Sequence, residues 1–119
     1  MNPVDGGFRT ENSLTGKLER ELEILKRHIR ILRIIHDEEP IGIIRLSEIT
    51  GYPNHQVRYS LRILEEEGIV EPTVEGAVMT KGTQEYINHF LGIINRVRGE
   101  LEDIEMALIK QKKNIEKSS

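Results

Sequence analysis

Cysteine and tryptophan are both missing from the 119 residues of the chain. Without cysteine there are no disulfides, no cysteine-ligated zinc sites and no thiol nucleophile, which suits a reducing compartment. Aromatic residues make up only 4% of the chain, so the core cannot be built on ring stacking. No run approaches the ~20 apolar residues that span a bilayer. Gly6, Gly7, Asp5, Arg9 and Glu11 near the start leave no room for a signal-peptide core. A soluble, cytoplasmic protein is the expectation. An excess of positive charge is missing as well: 17 Lys and Arg stand against 20 Asp and Glu, a net of −3. That balance argues against a protein held on nucleic acid by bulk charge alone.

What the chain has instead is branched aliphatic side chains, with 17 Ile and 11 Leu but only 2 Ala. At this length the expectation is one compact domain with an appended helix. Residues 1–15, with Pro3, Gly6, Gly7, Asn12 and Ser13, have no period and read as a flexible lead-in. From residue 17 to about 38 the positions Leu18, Leu22, Leu25, Ile29 and Leu32 alternate spacings of four and three, a helical seam. Ile31, Ile34 and Ile35 widen that stripe, and Pro40 ends the helix by disfavouring helical geometry at Glu39.

A short helix ending at Gly51 comes next, followed by a second helix from about Asn54 with Pro53 in its first turn. Val57, Leu61 and Leu64 form its buried stripe, and Gly68 stops it after three glutamates. Ile69 to Val74 and Ala77 to Thr80 read as a hairpin turning at Glu75-Gly76, with Pro72 assigning its strand to an edge. From about residue 80 to 117 a single helix is expected. Its seam is Ile87, Phe90, Ile94, Val97, Leu101, Ile104, Leu108, Gln111 and Ile115.

The stretch Leu46-Ser47-Glu48-Ile49-Thr50-Gly51-Tyr52-Pro53-Asn54-His55-Gln56-Val57-Arg58-Tyr59-Ser60-Leu61-Arg62, continuing through Leu64 and Gly68 to Val70, resembles the helix-turn-helix and first wing strand of winged-helix transcriptional regulators of the prokaryotic and archaeal type. The resemblance covers about half the chain, roughly residues 28–82. It implies a mainly α fold, a winged helix-turn-helix with a small β-hairpin wing and long N- and C-terminal helices. It implies a winged-helix domain over residues 16–82 and a dimerisation helix over 83–119. The implied function is sequence-specific binding of double-stranded DNA by a homodimer, with the helix of residues 54–67 in the major groove.

Elementary chemistry points the same way. A recognition helix buries one stripe and offers the other to a groove about 12 Å wide. With Val57, Leu61 and Leu64 inward, Asn54, His55, Arg58, Tyr59 and Arg62 are left outward. Arg58, His55 and Asn54 are assigned to bases, and Tyr59, Arg62 and Arg45 to the sugar-phosphate backbone, with Gln56 a further candidate. The wing departs from this pattern. It carries Glu71 and Glu75 where basic residues would help, which favours the alternative of a winged-helix protein-protein interaction module of a transcription or other nucleic-acid assembly.

No enzyme is expected. His28, His36, His55 and His89 include no pair at metal-binding helical spacing, and no nucleophile-base-carboxylate set or phosphate loop is present. No cofactor or metal is implied. Beyond Val97 the last helix outruns the surface a small domain can cover. Ile94, Val97, Leu101, Ile104, Leu108 and Ile115 therefore form the expected homodimer seam, joined by Leu18, Leu22 and Leu25. The acidic block Glu100, Glu102, Asp103 and Glu105, followed by Lys110, Lys112, Lys113 and Lys117, favours an antiparallel pair centred near Ala107. Charge is also uneven along the chain. Residues 26–62 hold seven basic and four acidic residues, a net of +3 inside an acidic whole.

Overall fold

The computed structural model describes residues 12–118, so the lead-in expected over residues 1–15 lies outside the described residues as far as residue 11. The described chain is a winged helix-turn-helix with a small hairpin and two long helices. Its elements are α1 (Leu14–Glu38), α2 (Ile43–Thr50), α3 (Asn54–Glu66), β1 (Val70–Thr73), β2 (Gly76–Met79) and α4 (Thr83–Ser118). It divides into two compact units, one running to Thr83 and the other Gln84–Ser119.

Helix α1 starts before the boundary expected at residue 15. Ser13 is the cause: its hydroxyl oxygen accepts from the Gly16 N–H at 3.0 Å and its carbonyl from the Lys17 N–H at 3.0 Å. The hydroxyl thereby satisfies one of the donors orphaned at a helix start while the carbonyl takes the first intrahelical bond, and Gly16 is tolerated in the first turn. At the other end Glu39 turns extended (φ −57°, ψ 142°), as the residue before a proline must.

The predicted α1 seam only partly enters the core. Leu18, Leu22 and Ile29 are exposed and Leu25 is half-buried, whereas Ile31, Leu32 and Ile35 are buried. The reason is geometric. At 100° per residue the Leu18–Leu22–Leu25–Ile29 line runs about 130° round the helix from Ile31 and Ile35, so the face that packs on α2, α3 and β2 is not the seam.

Leu46 anchors α2 with a fully buried side chain. Gly51, at φ +79°, reverses the chain and donates its N–H to Ser47 O at 2.8 Å, a geometry any side chain would strain. Two side chains fix the turn that follows. Ser47 Oγ donates to Tyr52 O, and Thr50 Oγ1 accepts from the Tyr52 N–H while donating to Leu46 O. Pro53 sits one position earlier than expected, as the N-cap of α3 (φ −61°, ψ 152°). Its carbonyl accepts from Gln56 and Val57.

Helix α3 buries Val57, Leu61 and Leu64 together with Ser60. Three glutamates at its C-terminus oppose the macrodipole. What holds that end is a pair of capping bonds, Gly68 N–H to Glu65 O at 3.0 Å and Ile69 N–H to Leu64 O at 3.2 Å. They drop Ile69 and Val70 into the core, each about 2% exposed.

The strands pair antiparallel, Val70 with Met79 through Thr73 with Gly76. The loop is therefore Val74-Glu75 and not the expected Glu75-Gly76. Thr73 makes it, its hydroxyl donating to Gly76 O at 2.6 Å and accepting from the Glu75 N–H at 3.2 Å. Gly76 serves another purpose. Ile41 bridges to Ala77 as a third edge of the sheet, and a Cβ on Gly76 would lie 2.6 Å from the Ile41 carbonyl carbon. Its φ of +133° is also one that side chains avoid. With Ile41 on one side of β2, β1 and its Pro72 occupy the outer edge, where a missing N–H is harmless.

Helix α4 begins at Thr83, later than the expected residue 80, because Thr80 belongs to the end of the sheet. Its N–H bonds Ile69 O at 3.1 Å and its hydroxyl Gly68 O at 2.7 Å, while Thr83 Oγ1 donates to Thr80 O. Its 36 residues rise on the order of 50 Å, and none of those described is fully buried. No described helix is long and apolar enough to cross a membrane.

Candidate nucleic-acid interface

The helix-turn-helix presents α3 with its buried stripe inward. Asn54, His55, Arg58, Tyr59 and Arg62 are exposed and Gln56 is half-buried. At 100° per residue, His55, Arg62 and Tyr59 stand nearly opposite the Val57–Leu64 stripe, and Asn54 and Arg58 flank them.

That flank faces α2. Arg45, Asn54 and Arg58 line one open groove with Gly42, Ile43, Ile44 and Glu48. Arg45 of α2 thus shares one surface with Asn54 and Arg58 of α3. Arg45 is not wholly free, because its guanidinium lies 3.9 Å from the Glu38 carboxylate, an exposed pair of small energetic value. Arg58 and Arg62 have no carboxylate within 4.0 Å among the described residues.

On the other flank α3 meets α1, with an arrangement the sequence did not signal. The Arg62 guanidinium carbon lies 5.4 Å from the centroid of the Tyr59 ring, and Arg27 of α1 lies 6.0 Å from the same ring. Beneath them is Ser60, fully buried, its hydroxyl 3.1 Å from Arg27 Nε and 2.7 Å from His28 Nδ1. Because Arg27 can only donate, Ser60 accepts from it, and the Ser60–His28 Nδ1 contact is a second hydrogen bond whose direction follows the imidazole tautomer. Burial holds the His28 pKa below the ordinary histidine value, and the adjacent Arg27 charge adds to the effect. The His28 ring also lies 5.8 Å from that of Tyr59.

A second α1 arginine repeats the motif one turn on. Arg30 lies 5.4 Å from the Tyr52 ring centroid and donates to Thr50 O at 3.3 Å. Arg27 and Arg30, spaced i, i+3 on α1, therefore hold α3 and the turn before it by cation–π contact. No local pattern announces this, since Arg27 and Ser60 are 33 residues apart.

The wing offers no cation. Glu71 and Glu75 are exposed, Val74 at its tip is fully solvated, and Lys81 lies beyond the strands. Among the described residues no cluster of His, Asp and Glu could hold a metal ion.

In α4, Val97, Leu101, Ile104, Leu108 and Ile115 are exposed, whereas Phe90 and Ile94 are half-buried. Leu101, Ile104, Leu108 and Ile109 line a shallow apolar groove along this helix, edged by Glu105 and Lys112.

No family model matches the chain, and no curated protein matches it either. Among solved structures the chain is similar to the activation domain of the phage T4 transcription factor MotA, with 20% identity over 61% of this chain and 78% of that one and a TM-score of 0.47. A likeness of that size carries no functional inference.

Proposed function

We propose that the protein is a sequence-specific double-stranded DNA-binding transcriptional regulator that acts as a homodimer in the cytoplasm and has no enzymatic activity. The observation that carries this reading is the outward face of α3. On the second helix of a helix-turn-helix, Asn54, His55, Arg58, Tyr59 and Arg62 are exposed together, and both arginines lack a carboxylate partner among the described residues. Arg58 and Asn54 have the donor and acceptor geometry to read base edges, and Arg62 and Tyr59 to hold phosphates. Replacing Arg58 and Arg62 by Ala is the test. Specific binding in a mobility-shift titration is lost while helical circular dichroism is unchanged, and an unaltered DNA affinity sinks the reading.

Dimerisation is argued from α4. Its exposed Leu101, Ile104 and Leu108 continue one heptad seam, and the acidic block from Glu100 complements the lysines from Lys110 in an antiparallel second copy. Two copies carry two recognition helices, so the DNA site is a pseudo-palindrome.

The acidic wing favours a second reading, a winged-helix module that binds protein. Salt separates the two: DNA affinity falls at least about tenfold between 50 and 200 mM salt when several phosphates are neutralised. A protein interface held by apolar contact changes far less.

A further inference from the structure

Arg27 belongs to α1, outside the helix-turn-helix, yet its half-buried side chain reaches the same Tyr59 ring of α3 that Arg62 reaches. Arg27 and Arg62 lie 6.0 and 5.4 Å from the centroid of one ring, so their guanidinium carbons are at most about 11.4 Å apart. Ser60 grips Arg27 by Nε, which orients the head while its terminal nitrogens have no acceptor among the described residues. Neither arginine has a carboxylate within 4.0 Å among those residues. Both charges share one ring with no anionic side chain beside them among the described residues, and a bound anion supplies the counter-charge. The donors are two planar forks and the Tyr59 hydroxyl, a set suited to phosphate oxygens.

We infer that Arg27, Tyr59 and Arg62 form a phosphate-binding cluster for the DNA backbone beside the groove entered by α3, so that α1 is itself part of the interface. The inference rests on the DNA-binding reading above. The arginines then differ in role. Arg58, in the groove with Arg45 and Asn54, reads sequence, and Arg27 and Arg62 supply affinity without sequence.

The experiment is a fluorescence-anisotropy titration across a salt series, using a duplex recovered by selection from a random pool and an unrelated duplex of equal length. Arg27→Ala lowers affinity for both duplexes by the same factor. It also reduces the salt slope by about 0.9, which makes the affinity loss between 50 and 200 mM about threefold smaller. Arg27→Lys keeps the charge and restores the slope, which a merely structural role for Arg27 does not predict. Matching circular dichroism confirms that the variants are folded.

An unchanged slope in Arg27→Ala, with Arg62→Ala still altering it, overturns the cluster and leaves the DNA reading intact. A changed preference between the duplexes overturns it too, since Arg27 then reads bases. If the unaltered protein binds neither duplex, the DNA reading itself fails. Capture of poly-glutamate, lost in Arg27→Ala, then assigns the cluster to an acidic protein and overturns the phosphate.

Discussion

Ser60 is the residue on which α1 and α3 agree, for it is fully buried yet polar and has donors or acceptors on both sides. Ser60→Ala strands Arg27 Nε and His28 Nδ1, and the expected loss is about 1–3 kcal/mol in denaturant unfolding. The same network gives stability a pH dependence. Because the folded His28 pKa is lowered, the unfolded chain takes up the proton first as pH falls. The His28 contribution is therefore complete above the unfolded value of about 6.5 and is lost as pH drops through the lower folded value. Thermal melts are expected to fall between pH 7.5 and 5, and His28→Gln should flatten that difference. Gly76 is as constrained as Ser60 for a different reason, the Ile41 backbone 2.6 Å from any Cβ. Gly76→Ala is expected to cost on the order of 1–3 kcal/mol, read as a lower unfolding midpoint. Neither residue stands out in the sequence. Ser60 falls within a helix of ordinary amphipathic pattern, and Gly76 looks like a turn glycine until the Ile41 bridge is seen.

Among the elements, α3 was the most legible, because Val57, Leu61 and Leu64 repeat at helical spacing and all three are buried. Helix α1 was legible as a helix but not as a packing surface. Its heptad seam is continuous, yet whether Leu22 or Ile31 is covered depends on which face of α1 packs on α2, α3 and β2. The contrast can be measured. Leu61→Ala should cost about 2–5 kcal/mol by opening a core cavity. Leu22→Ala, at a site 47% exposed, should cost well under half as much in the isolated chain. The hairpin turn was misplaced by one residue because Thr73 supplies bonds that a two-residue loop ordinarily obtains from Asn or Gly.

For the whole molecule, the net charge of −3 conceals a basic stretch, +3 over residues 26–62, flanked by acidic segments. Folding concentrates that stretch further, since α1, α2 and α3 bring Arg27, Arg45, Arg58 and Arg62 to the surfaces around one helix. An acidic total with a local basic face suits selective binding and opposes indiscriminate coating of DNA. The second unit, Gln84–Ser119, has apolar side chains without a core. Under the proposed dimerisation, Leu101→Glu with Leu108→Glu should yield monomers in sedimentation velocity. A dimer that persists removes the α4 seam from the interface.

The sequence by itself determined the order of elements, the stripe that α3 buries and the exposed residue types on its outer face. These follow from local period, from Gly and Pro at the turns, and from the short reach of capping bonds, all of which act within a few residues. Only the tertiary structure decided that Arg27 and Ser60 meet across 33 positions, that Gly76 is dictated by Ile41, and that Arg45, Asn54 and Arg58 share a groove. Those contacts depend on how helices and strands pack against each other, and periodicity along one element does not record which face of another will cover it.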